Sequence, residues 1–118
     1  MRPVLVFDME VYSNYTLVLF KDILTKLVTR FELPLTSVEK DALATIIKTH
    51  RLITFNGWHY DIPLMFMALK GDDSAKIKKA SDRIIVHGAK NWVIELEFNV
   101  NCHPKDLDHV DLMEVAPL

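Results

Sequence analysis

Three β-rich runs follow one another at the start of the chain: Pro3–Phe7, Tyr15–Phe20 and Leu27–Leu33, ended by Pro34. Ser13-Asn14 supplies turn chemistry between the first two. Short strands with short connections pair most simply as an antiparallel meander. A helix comes next. Thr36 and Glu39 stand at capping-box spacing, and Val38, Ala42, Leu43, Ile46 and Ile47 recur at helical intervals, so Thr36–His50 is expected to form an amphipathic helix. Leu52–Phe55, closed by Asn56-Gly57, is the following β run. Reached through a helical crossover, it is expected to lie parallel to an earlier strand, with a right-handed connection.

The remainder reads mainly as helix. Asp61-Ile62-Pro63 opens a segment running to about Leu69, with Gly71 as its stop. Ser74–His87 is a third helix, ended by Gly88. Trp92–Phe98 fits helix or strand and is read as helix, and His109–Met113 is a weak last strand. The result is one α/β domain over residues 1–118. Its 14 Lys and Arg against 16 Asp and Glu leave a net charge of −2, which argues against a nucleic-acid binder working by charge alone. One cysteine, Cys102, cannot form an internal disulfide and has no neighbouring base signature, as expected in a reducing compartment. The longest unbroken apolar run, Leu64–Leu69, is far short of the ~20 residues of a membrane span. Cytoplasmic residence, in a bacterial or phage-infected cell, is expected. Three glycines in all exclude a glycine-rich phosphate loop.

Chemistry concentrates in the acids. Asp8 and Glu10 stand two apart at the expected end of the first strand, on one face and about 7 Å apart along it. Two such carboxylates repel each other without a cation and suit a hard divalent ion. The same triplet is also common as a pair of solvated acids. Asp61 follows a strand and turn at a helix start, where the helix dipole alone would stabilise it. If the two strands are adjacent and parallel, all three acids converge outside the strand ends, where α/β sheets bind ligands.

These residues carry a resemblance. VFDMEVY resembles the first motif of the DEDD-type (DnaQ-like) 3′–5′ exonucleases, and FNGWHYD the second. The likeness is nearest to the exonuclease domain of family B DNA polymerases and its stand-alone phage relatives, and the HVDL stretch at His109–Leu112 extends it. The resemblance implies an RNase H-like sheet of order 3-2-1-4-5, its first three strands antiparallel, with flanking helices. It implies hydrolysis of terminal phosphodiesters at single-stranded DNA 3′ ends, with Asp8, Glu10 and Asp61 holding two Mg²⁺ or Mn²⁺ ions. Asn56 would shape the site and contact the strand, Met9 would point into the core while its backbone lines the terminal pocket, and Trp58 and Tyr60 would contact nucleic acid.

One part of the pattern is missing. The family's third motif places Tyr or His four residues before an Asp, and no Tyr or His here has Asp at that position. The expectation is a C-terminally truncated domain of impaired activity, whose apolar end at Val115–Leu118 invites self-association. Asp108 or Asp111 would replace the fourth ligand only if the last strand borders the site. The competing readings are an inactive fragment that binds nucleic acid or protein, and another RNase H-like nuclease. Lys76, Lys79, Arg83, His87 and Lys90 could form a basic stripe along one helix or be a solvated face. His59 reads as an exposed loop residue, and Met65, Phe66 and Met67 as core.

Overall fold

A computed structural model, describing residues 2–115 with the side chain of Val115 excepted, gives five strands and five helices among those residues. The strands are β1 (Val4–Tyr12), β2 (Tyr15–Asp22), β3 (Val28–Glu32), β4 (Arg51–Thr54) and β5 (His109–Asp111). The helices are α1 (Ser37–Thr49), α2 (Asp61–Lys70), α3 (Ser74–Ile85), α4 (Asn91–Phe98) and the single turn α5 (Leu112–Val115). The sheet order is β3-β2-β1-β4-β5; β1, β2 and β3 form the antiparallel meander, and β4 and β5 join parallel. Segments of the chain thus take the expected α/β order, and Trp92–Phe98 lies within a helix.

Local chemistry explains the boundaries. Thr36 Oγ1 accepts the Glu39 amide while Glu39 Oε1 accepts the Thr36 amide, which completes the capping box of α1. Gly71 ends α2 in the left-handed conformation, and Asp73 caps α3 by accepting the Lys76 amide. Leu5, Phe7 and Met9 alternate to one face of β1 and join Val18, Phe20, Phe31 and Leu52 in a single core with the buried sides of α1–α4. Phe7 stacks on Phe20, and Phe20 meets Phe31 edge-on. Met65 and Met67 are fully buried in that core, and Phe66 packs against it.

One boundary corrects the sequence reading. β1 does not end at Asp8-Met9-Glu10; it continues to Tyr12 as half of a hairpin, with Asp8 opposite Leu19 and Glu10 opposite Leu17. Its parallel neighbour stops sooner, for β4 pairs β1 only from Val4↔Arg51 to Val6↔Ile53. The acids therefore lie where β1 outruns β4, not at a strand end. Among the described residues no helix is long and apolar enough to cross a membrane. The segment Ala116–Leu118, with the Val115 side chain, lies outside the description, and with it most of the apolar end expected to drive self-association.

Candidate functional site

Where β4 leaves β1, Met9 has no partner on β4, and its amide donates instead to Asp61 Oδ1 at 3.0 Å. Asp61 thereby closes the gap in the sheet from the first position of α2, and it is buried, only 5% exposed. The turn before it is tightly built. The amides of Tyr60 and Ile62 donate to the Gly57 carbonyl, and Asn56 takes a left-handed backbone at φ 66° that its short polar side chain tolerates. Gly57 is required for a different reason: a Cβ there would overlap the Thr54 side chain, whose Oγ1 accepts the Gly57 amide.

A cleft of about 380 Å³ opens beside this turn, lined by Asp8, Asn56, Tyr60 and Asp61 with Phe55 and the Ile84-Ile85 end of α3. Asp8 is exposed on the face of β1 opposite the core. Burial drives the Asp61 carboxyl upward; the Met9 hydrogen bond works against this, and the charges of Asp8 and Asp111 add to it. The net effect pushes Asp61 up to about 7, so near neutral pH it is poised between acid and carboxylate. Tyr60 is also raised, chiefly by burial, and its hydroxyl pairs with Ser81 on α3 at 2.8 Å.

The predicted residues are therefore divided. Asp8, Asp61, Asn56 and Tyr60 share one cleft. Glu10 sits two residues further along the β1–β2 hairpin, half-buried, and does not line that cleft. The Met9 side chain is in the core as expected; its amide belongs to Asp61, and it lines no part of the cleft. Trp58 lies on the other side of the turn, with His103 and His109 rings at centroid distances of 5.1 and 4.6 Å. Among the described residues no three His, Cys, Asp or Glu side chains gather as a metal-holding group.

The proposed substitutes for a fourth ligand have other work. Asp108 pairs with Arg51 at 3.0 Å and Arg2 at 4.0 Å, beside the start of β4 and away from the end where the cleft opens. Asp111 is 2% exposed, and both its oxygens are engaged: Oδ1 accepts the Asn56 and Met113 amides, and Oδ2 accepts the Trp58 amide. It fixes the turn that presents Asp61. Two members of the basic stripe are met within the chain, Lys76 by Asp72 and Arg83 by a two-toothed pair with Glu97, while Lys79, His87 and Lys90 have no ion-pair partner among the described residues. Cys102 is buried, and burial with the nearby Glu95 charge pushes its thiol up to about 12. His59 is exposed, 3.8 Å from Glu114.

Three residues emerge only in the folded molecule. Thr54 Oγ1 lies 2.6 Å from His109 Nε2 and also accepts the Gly57 amide. Burial lowers the His109 pKa, with the Asp111 charge acting against it. Ser81 holds Tyr60. No local signal in the sequence marks Thr54 or Ser81, since their partners lie 55 and 21 residues away. Comparison with protein-family models, curated proteins and solved structures finds no match.

Proposed function

We propose that this chain is an RNase H-like 3′–5′ exonuclease domain that hydrolyses single-stranded DNA ends with Mg²⁺ or Mn²⁺. The observation that carries the reading is Asp61: a buried carboxyl beside Asp8, with one strand amide on its Oδ1 and a pKa raised to about 7. A cation against it would relieve that cost, and the donor set is all oxygen, as hard divalent ions prefer. Asp8 and Asp61 would hold the metal, with Glu10 available from further along the hairpin. When bound, such an ion offsets charge on the terminal phosphate and acidifies its coordinated water.

The chain's own groups do the rest. Asp61 gives up its proton on binding, so cleavage should rise with pH through the region of pH 7. Tyr60, fixed by Ser81, and Asn56, fixed through its amide by Asp111, form a rigid wall for the terminal nucleotide. The test is degradation of single-stranded DNA, with EDTA and Asp8→Ala as controls. Stepwise loss from the 3′ end in Mn²⁺, abolished by both, supports the reading; cleavage that survives Asp8→Ala contradicts it. A second reading, a nucleic-acid-binding module without turnover, follows from the missing Tyr or His four residues before Asp. It predicts binding to the same DNA and no shortening.

A further inference from the structure

The turn Asn56–Tyr60 is a wall of two clefts, not one. Asn56 and Tyr60 face the carboxylate cleft, while Trp58 and His59 line a second cavity of about 420 Å³ completed by Lys90, Asn91, His103 and Glu114. Their characters differ. The first holds two carboxylates. The second brings together a lysine, two histidines and one acid around a half-buried indole.

Trp58 is rigidly mounted. Its amide donates to Asp111 Oδ2 at 3.1 Å, its carbonyl accepts Asn91 Nδ2 at 2.7 Å, and the His109 ring meets it edge-on at 4.6 Å. The exposed His103 ring lies tilted over it at 5.1 Å. A fixed aromatic plane gives up little conformational freedom when a base stacks on it. Lys90 stands at the start of α4, has no ion-pair partner among the described residues, and its helix end has no side-chain cap. An amide-rich, positive helix end beside a free ammonium is where a phosphate gains most.

We infer that this second cavity is a nucleotide subsite, with a base on the Trp58–His103 platform and its phosphate on Lys90. The inference rests on the proposed exonuclease reading, and it locates the strand leading to the cleaved end. Trp58 and Asp61 are three residues apart, at most about 11 Å of chain, a distance that a few nucleotides of single strand cover. The carboxylate cleft repels phosphate until cations are bound, so a neighbouring aromatic cavity that sets Lys90 against a single acid, Glu114, would anchor the strand without metal. The same base-and-phosphate chemistry is offered by a released mononucleotide.

The test is anisotropy of a labelled eight-nucleotide thymidylate with the intact chain in EDTA, where no cleavage competes. Trp58→Leu is expected to weaken binding about tenfold. Lys90→Gln, an exposed change that leaves the fold intact, is expected to weaken it several-fold and to reduce the salt slope by about 0.7. Free dTMP that fails to compete assigns the cavity to the strand; dTMP that competes assigns it to the released nucleotide. Binding by both variants within twofold of the parent overturns the inference, and Lys90→Gln decides alone if Trp58→Leu does not fold. The two readings fail separately. Mn²⁺-dependent shortening with variant-insensitive binding leaves the exonuclease standing without this subsite, and variant-sensitive binding without shortening does the reverse.

Discussion

Two buried aspartates flank the same turn, and they differ in how well their charge is met. Asp111 accepts three backbone amides, from Asn56, Trp58 and Met113. Asp61 accepts the Met9 amide on Oδ1 with its own amide as a lesser help, lies beside Asp8, and is pushed up to about 7. Both are almost fully enclosed, at 2% and 5% exposure. Burial therefore does not distinguish a structural acid from a candidate ligand; the number of donors around it does. Asp111 is fully engaged by the turn, whereas Asp61 has fewer donors and is the acid proposed to take a cation.

The same substitution should then act with opposite sign at the two positions. Asp61→Asn keeps an acceptor for the Met9 amide and removes the buried charge, so it should stabilise the protein at pH 7.5. The sign follows from linkage. The folded pKa is raised above the unfolded value of 3.8, so the native state holds the extra proton and stability falls as pH rises from about 4 to about 7. The parent should lose up to about 4 kcal/mol across that window, the upper end of what such a difference implies, and Asp61→Asn should flatten the profile. Urea melts at pH 4, 5.5 and 7.5 measure it, and parallel profiles for the two proteins would break the comparison.

Asp111→Asn should instead destabilise, by about 3 kcal/mol, because an amide NH₂ would face the Trp58 or Asn56 donor and leave it unpaired. Equal stability in urea would show that the turn does not depend on this acid. Gly57→Ala sharpens the same point from the other side of the turn. The added methyl meets the Thr54 side chain and should cost about 2 kcal/mol, with Trp58 fluorescence reporting the displacement. The smallest effect is expected at the far end of the sheet. Arg51→Gln breaks an exposed pair with Asp108 and should change stability by less than about 1 kcal/mol.

Much of this was legible in the residues, and the failures have a common cause. The helix over Thr36–His50 carried its own capping box, and Asp61 followed a strand and turn that placed it at a helix start. Short-range chemistry of that kind survives into the fold. The sequence reading ended β1 too soon because Asp8-Met9-Glu10 interrupts an apolar run, yet cross-strand pairing with Leu17–Leu19 carries the strand through. That extension is why Glu10 stands apart from the cleft that Asp8 and Asp61 share. The partner of Arg83 in the basic stripe was hidden for a similar reason: Glu97, fourteen residues away, is brought to it only by α4 packing on α3. The role of Asp111 depends on parallel pairing of β5 with β4, a contact across 57 residues that no local pattern announces.

The central claim is that Asp61 and Asp8 form an unmet pair awaiting a cation, and thermal melts with and without Mn²⁺ at pH 7.5 test it most directly. Binding to the native state alone should raise Tm by about 5 °C or more at saturating metal. That rise should vanish in Asp61→Asn and in Asp8→Asn. A parent protein that melts at the same temperature in Mn²⁺ and EDTA, or a rise that both variants retain in full, would contradict the account.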